Sequence, residues 1–283
     1  MLTFDIAMPL TLFLVTFAAL MLSKRVEGKL KSVLEEREFR TIDMVLFAVM
    51  VGVVVSVVVF VPQMALIALF MFSYASLLFT FSYIFSAVNK KRALLLISTF
   101  LAASLVVGTV ALFGLFSGDS VFYGGFAAYG LAIFAFAALL LELRRGGSSG
   151  RWYLAVLPTT LFIIVFFVFS PTPVWFPFLF DAVGIVFAIL ITLYLSSLFT
   201  WKTTFIFAAL LTVIDFILVL VIPVMEPAAE HVVSLGLPVL IVLPVVPPIL
   251  TSAGLLGLQP IWLGLGDFFF AGTLATQTYK KLG

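Results

Sequence analysis

Residues 203–222 read TTFIFAALLTVIDFILVLVI, an apolar run whose one charged side chain is Asp215. A membrane-spanning helix needs about 20 mostly apolar residues, so this stretch by itself predicts a spanning helix. The whole chain has the same character, since its 283 residues are 64% hydrophobic and 10% charged, with a mean hydropathy of +1.32. Soluble domains are about 45–50% apolar and about 25% charged. The composition therefore excludes a cytosolic enzyme, a disordered chain and a nucleic-acid binder, and indicates a polytopic membrane protein.

The apolar runs predict an all-α fold with about nine transmembrane helices. The predicted spans are 6–23, 44–61, 64–88, 93–117, 121–141, 152–170, 174–198, 203–222 and 260–279. A further apolar stretch, 232–250, contains Pro238, Pro244, Pro247 and Pro248, which is heavy for one helix. We therefore expect an irregular, re-entrant or extended segment between the last two spans. We divide the chain into N-terminal transmembrane helices at 1–170 and a transmembrane region that carries an aspartate pair at 171–283.

The basic residues predict the orientation of the chain in the membrane. If the N-terminus lies outside, all 15 lysines and arginines fall in connections on one face of the membrane. Positive charge marks the cytoplasmic face, so we expect a multi-pass protein of the cell membrane with a cytoplasmic C-terminus at Lys280 and Lys281. Glu142, at the inner end of its helix, is expected to extend to the lipid headgroups.

Three acidic residues, Asp181, Asp215 and Asp267, lie inside predicted spans. Charged groups in hydrocarbon are costly and mark functional sites. Each lies about seven residues from the outer end of its span, roughly 10 Å at 1.5 Å per residue, so all three can meet at one level. Two adjacent carboxylates that share one proton suit aspartyl protease chemistry. We expect Asp215 to pair with Asp267 because their helices are consecutive and antiparallel. Asp181 is either a third acid or a hydrogen-bonded polar anchor.

The motif Gly264-Leu265-Gly266-Asp267 resembles that of the GxGD intramembrane aspartyl proteases, the presenilin and signal peptide peptidase family. The stretch from Thr200 to Pro223 is similar to the family's helix with the first aspartate. Residues 236–242 are similar to the segment between the two catalytic helices that helps to hold an extended substrate. The resemblance implies that Asp215 and Asp267 are catalytic. It also implies a set of substrate-binding residues, namely Leu237, Pro238, Val239, Leu240, Gly264, Leu265 and Gly266.

The resemblance implies an endopeptidase that hydrolyses peptide bonds within transmembrane helices. Its partners would be transmembrane peptides and the lipid bilayer, with no metal, organic cofactor or nucleic acid; the oligomeric state is not predicted. The predicted orientation is similar to that of the signal peptide peptidase branch, which implies substrates with a cytoplasmic N-terminus.

The family also has a Pro-Ala-Leu motif in a later helix, and this motif does not occur in the sequence. Either that region is absent or N-terminal helices take its place. The stretch Ala7-Met8-Pro9-Leu10 is then either a substitute for the motif or an ordinary first helical turn containing proline.

Two other functions remain open from the residues alone. One is a proton- or cation-coupled transporter in which Asp181, Asp215 and Asp267 form a relay. The other is a catalytically inactive homologue that binds membrane helices. The chain has no cysteine and one histidine, which excludes disulfides, thiolate chemistry and a site with several histidine ligands.

Overall fold

The computed structural model describes residues 6–33, 40–58, 63–114, 116, 118–144, 150–221, 225–244 and 260–282. These residues form ten α-helices and two short β-strands. The helices are α1 (Ala7–Val33), α2 (Thr41–Val58), α3 (Gln63–Phe85), α4 (Lys90–Phe113), α5 (Asp119–Arg144), α6 (Tyr153–Phe169), α7 (Phe180–Leu198), α8 (Trp201–Phe216), α9 (Met225–Ser234) and α10 (Leu265–Leu282). The strands are β1 (Leu240–Pro244) and β2 (Pro260–Gly264). A π-helical turn follows α8 at Ile217–Val221, and the stretch Trp175–Leu179 before α7 is kinked at Phe176, whose backbone is extended (φ −106°, ψ 131°).

The chain is a largely helical membrane protein. Among the described residues, six helical segments are long and apolar enough to cross a bilayer. They contain α1, α3, α4, α5, α7 with the stretch from Trp175, and α8 with the turn to Val221. Many large apolar side chains on these helices are exposed, for example Phe72 at 73% and Ile133 at 71%. Such exposure is costly in water and ordinary in lipid. The predicted total of nine spans also requires α2, α6 and α10 to cross the membrane, and that total stays a prediction.

The structure corrects the predicted start of the last span. We expected a helix over 260–279, but Pro260–Gly264 is strand β2 and the helix begins at Leu265. Apolar residues suit either structure, and here β2 pairs with β1, which is distant in sequence. Asp267 is consequently in the first turn of α10 rather than about two turns along it. Residues 245–259 of the expected irregular segment lie outside the described residues, and its re-entrance stays a prediction.

The chain divides into two compact units, each considered by itself. One consists of Met1–Ile67 with Leu179–Gly283, and the other is Ala68–Phe178. In the second unit, α5 packs against α4 and α6 through small residues. A Cβ atom on Gly125 would lie 2.7 Å from Leu112 Cγ, so the absence of a side chain there permits the close approach of α4 and α5.

A buried ion pair lies in the second unit and corrects the expectation for Glu142. The Glu142 side chain is 0% exposed and that of Arg151 is 5% exposed. Arg151 Nε donates to Glu142 Oε1 at 2.8 Å, Arg151 Nη1 donates to the Val88 carbonyl at 2.6 Å, and the Tyr153 hydroxyl donates to Glu142 Oε2. Hydrogen bonding to Glu142 raises the pKa of Arg151, so the guanidinium stays charged. Glu142 is therefore held inside the protein because a cation from the next connection reaches it.

In the first unit, α7 packs against α1 and α10, and α2 packs against α8. This unit unites the aspartate helices with α1 and α2, whereas the division from the sequence separated them. A cluster of buried side chains joins α2, α7, α8 and α10, and its members are Met44, Ala48, Leu198, Phe199, Phe207 and Phe269. This packing holds α2, α7, α8 and α10 together.

Candidate functional site

A cavity of about 350 Å³ lies in the first unit, and both Asp215 and Asp267 line it. Helices α8 and α10 form most of its wall, with contributions from Phe47 on α2 and Val239 before β1. The remaining wall is mostly apolar and aromatic. A mostly apolar cleft with a few converging polar groups is the usual form of a small binding site. The structure thus brings the two predicted catalytic residues to one concave site.

Asp267 is held at the start of α10 by its own backbone neighbourhood. Its Oδ2 accepts a hydrogen bond from the Gly264 backbone N–H at 3.1 Å. Gly264 immediately precedes the helix and Asp267 is its third residue, so the contact is the half of a capping box in which an acid satisfies the N-cap amide. The helix dipole also favours a carboxylate in the first turn. The local sequence therefore positions Asp267 while only one of its oxygens is used by this bond.

Asp215 is the next-to-last residue of α8, immediately before the π-helical turn. Its side chain is exposed to the cavity, and no hydrogen-bond partner is found for it among the described residues. Its carboxylate faces the same cavity as that of Asp267. The beginning of α8 is fixed by a complete capping box between Thr200 and Thr203. The two acids therefore differ in their contacts, since Asp267 accepts a backbone hydrogen bond and Asp215 accepts none from the described part of the chain.

The two strands connect the irregular segment to the Gly264-Leu265-Gly266-Asp267 motif. Helix α9 ends in a Schellman motif, in which Gly236 has φ of 68° and the Leu237 N–H donates to the Val232 carbonyl at 3.2 Å. The chain then enters β1, which pairs antiparallel with β2 so that Leu240 lies opposite Gly264. The Leu265 N–H donates to the Val239 carbonyl at 3.1 Å and extends the ladder into α10.

The predicted substrate-binding residues occupy different positions around this sheet. Val239, Gly264, Leu265 and Gly266 line the cavity. Leu237 and Pro238 are buried in the protein, and Leu240 lies beside Gly264, where a Cβ atom would be 3.8 Å from Leu240 Cδ2. Whether any of them contacts a substrate stays a prediction.

Asp181 is on α7 and is not among the described residues that line the cavity. Its Oδ1 accepts a hydrogen bond from the Val242 backbone N–H at 2.8 Å. Its geometry agrees with the hydrogen-bonded anchor that the sequence left open as one alternative.

Sequence reasoning missed Phe47 as part of the site. Its ring lies 5.4 Å from that of Phe207, and both line the cavity. A Cβ atom on Gly52, further along α2, would lie 3.5 Å from Ile214 Cγ2, so α2 runs close to the residue before Asp215. Helix α2 is apolar apart from Thr41 and Asp43 in its first turn and Ser56 near its end, and these residues do not distinguish the face that meets α8.

Gln277 was also missed, and it anchors the far end of α10. Its Nε2 donates to the carbonyls of Ser196 at 3.0 Å and Phe199 at 2.7 Å, where α7 ends. Lys280 forms an ion pair with Glu27 of α1 at 2.7 Å. Gln277 is a polar residue within the predicted last span, which indicates a buried polar contact, but its partners are remote in sequence. These contacts attach the C-terminal part of α10 to α7 and α1.

The stretch Ala7-Met8-Pro9-Leu10 forms the first turn of α1, as one of the two sequence-based alternatives expected. The side chains of Met8, Pro9 and Leu10 are exposed, and none of them lines the cavity. A proline is well tolerated in a first turn because its missing N–H has no helical partner there.

The fold and the site define a helical membrane protein with paired aspartates in an apolar cavity. No family model, curated protein or solved structure matches this chain.

Proposed function

We propose that the protein is an intramembrane aspartyl endopeptidase that hydrolyses peptide bonds within transmembrane helices, with Asp215 and Asp267 as its catalytic pair. The observation that supports this proposal most is the shared cavity, which both carboxylates line together with Gly264, Leu265 and Gly266. The sequence resemblance to the GxGD family agrees with it.

The proposed chemistry needs one proton shared by the two carboxyl groups. The ionised aspartate takes a proton from a water molecule, whose oxygen attacks the carbonyl carbon of the peptide bond. The protonated aspartate donates its hydrogen bond, and then its proton, to the carbonyl oxygen. When the tetrahedral intermediate collapses, the carbon–nitrogen bond breaks, the leaving amine takes up the proton of one aspartate, and a hydroxyl group of the intermediate returns its proton to the other aspartate. The roles belong to the pair, because strongly coupled acids titrate as a unit.

The sheet geometry indicates where an extended substrate would bind. In an antiparallel pair, successive residues point their backbone groups alternately to the partner strand and away from it. Because Val239 bonds Leu265, Ile241 also points its backbone groups to β2, whereas Val242 points away and donates to Asp181. The Val242 amide is therefore already used. An extended substrate would bind beside Val239 and Gly264, which line the cavity together with both aspartates.

We further propose the orientation that the basic residues predict, with nine spans, an outer N-terminus and a cytoplasmic C-terminus. Substrates would then have a cytoplasmic N-terminus, as remnant signal peptides do. Protease accessibility of tags at each end of the chain in oriented membranes tests this orientation.

The test of the activity is incubation of the purified protein with a labelled transmembrane peptide, with and without an aspartyl transition-state inhibitor. We expect cleavage that the inhibitor blocks, and its loss in both Asp215→Asn and Asp267→Asn. Asp119→Asn is the matched control, because Asp119 is exposed at the start of α5 in the other unit. Mass spectrometry of the products locates the cleaved bond. Cleavage that persists in Asp267→Asn would contradict the proposal.

The other two functions give different results in the same preparations. Capture of the peptide by wild type without any cleavage would indicate the inactive homologue. Ion flux into proteoliposomes that requires all three aspartates would indicate the transporter, although Asp181 is outside the described cavity lining.

A further inference from the structure

Asp181 is the one acid of the predicted intramembrane set that the proposed chemistry does not use. It is the second residue of α7, and its carboxylate accepts a hydrogen bond from the Val242 N–H of β1 at 2.8 Å. We propose that Asp181 is a positioning residue, which fixes β1 and, through the β1–β2 sheet, the Gly264 amide that orients Asp267. This inference rests on the proposed function, because it assigns a role relative to the catalytic pair.

The contact between α7 and β1 has a second component one turn further along the helix. A Cβ atom on Gly184 would lie 3.3 Å from Ile241 Cγ1 and 3.4 Å from the Leu240 carbonyl oxygen. A Cβ atom at residue 184 would press against β1, so the glycine favours this close approach of α7 to the strand. Residues 181 and 184 lie on one face of a helix, so a single turn of α7 binds the strand by a hydrogen bond and by close packing.

The connection from β1 to the catalytic motif is short and continuous. Strand β1 pairs with β2 from Leu240 opposite Gly264 to Pro244 opposite Pro260. The next hydrogen bond, from the Leu265 N–H to the Val239 carbonyl at 3.1 Å, is already within the motif. Gly264, at the end of β2, then donates to Asp267 Oδ2 at 3.1 Å. A displacement of β1 is thereby transmitted to the group that orients the Asp267 carboxylate.

The geometry requires Asp181 to accept a hydrogen bond and does not require it to exchange a proton. An asparagine side-chain oxygen accepts the same bond from Val242. An alanine removes the acceptor and leaves the Val242 amide without this partner. The two substitutions therefore separate a positioning role from the role of a third catalytic or relay acid, for which asparagine would be as harmful as alanine.

The experiment compares Asp181→Asn, Asp181→Ala and Gly184→Val with wild type in detergent micelles, with Asp267→Asn as the inactive reference. The first measurement is kcat and KM for a cleaved transmembrane peptide. We expect Asp181→Asn to remain within about threefold of wild type. We expect Asp181→Ala, which removes the hydrogen bond to β1, and Gly184→Val, which displaces the strand, each to lose at least about tenfold in kcat because Asp267 is then misaligned. The second measurement is amide hydrogen exchange of the peptide that contains Val242, which we expect to be faster in Asp181→Ala and unchanged in Asp181→Asn.

The results distinguish this inference from the proposed function. If wild type cleaves no peptide, the proposed function fails, while the exchange measurement still tests whether Asp181 fixes β1. Asp181→Asn as inactive as Asp267→Asn would overturn the inference, because it would show a requirement for an ionisable group. Wild-type exchange and cleavage in Asp181→Ala would also overturn it. Gly184→Val leaves Asp181 in place, so it tests the attachment of β1 even if Asp181→Ala does not fold.

Discussion

Replacement of Glu142 by leucine should strongly destabilise the Ala68–Phe178 unit. Arg151 would then be a buried charge that has lost its carboxylate, although the Val88 carbonyl would still accept from it. Removal of one partner of a buried ion pair typically costs about 3–5 kcal/mol. In a unit of this size, 1 kcal/mol shifts Tm by roughly 4 °C or more, so we expect a decrease of roughly 10–20 °C.

The magnitude can be checked by a double-mutant cycle with Arg151→Leu. An apolar pair of similar volume often replaces a buried ion pair at little net cost, so the double variant should recover most of the lost stability. The coupling free energy of such a contact pair exceeds the roughly 0.3–0.5 kcal/mol within which independent substitutions add.

Circular dichroism during heating in detergent micelles measures these changes. Glu230→Leu is the matched control, because Glu230 is exposed on α9 in the other unit, and it should leave Tm nearly unchanged. A Glu142→Leu variant as stable as this control would refute the buried ion pair as a source of stability. So would a double variant that is no more stable than Glu142→Leu alone.

Further predictions concern the cavity, the helix packing around it and the pH dependence. Phe47→Ala should enlarge the cavity. The cleavage rate of a peptide with Phe beside the cleaved bond, divided by that of a peptide with Ala there, should then rise by about tenfold. Phe79→Ala is an exposed control and should leave this ratio unchanged. An unchanged ratio would exclude Phe47 from the binding surface. Gly272→Leu should lower the free energy of unfolding by about 1–3 kcal/mol in thermal unfolding, because it disrupts the α7–α10 contact. Even a Cβ atom at residue 272 would lie 3.1 Å from Thr192 Oγ1 and closer still to its Cγ2. Gly130→Leu is the control, because a Cβ atom there lies in open space, and it should not destabilise the protein. Peptide cleavage should depend on pH in a bell shape, because the aspartate pair works only while it holds one proton; a rate that keeps rising at high pH would contradict this mechanism.

The helical class was predictable from the sequence because lipid demands long apolar runs, and most predicted spans agree with observed helices to within a few residues. The turn from strand to helix at Gly264 was not predictable, since Pro260–Gly264 is apolar in either state and becomes a strand only by pairing with β1. Long-range pairing of this kind leaves no mark on the local sequence.

The acids of the candidate site were predictable because charges are rare in such a chain, and their surroundings were not. Asp215 and Asp267 line one cavity as expected, whereas the contribution of Phe47 depends on which face of a largely apolar helix meets α8. Glu142 was assigned to the headgroups because its partner, Arg151, belongs to the next connection. The sequence thus identified Glu142 as a charge that needs a partner, and only the folded structure shows that the partner is Arg151.

The central claim is that Asp215 and Asp267 act as one unit over a hydrolytic water. The most direct test is the affinity of a hydroxyl-bearing peptide that mimics the tetrahedral intermediate, measured for Asp215→Asn, Asp267→Asn and the double variant. Groups that act as a unit give strongly non-additive losses, so we expect each single variant to lose nearly as much affinity as the double one. Independent, additive losses, or binding that is indifferent to Asp215, would contradict the account.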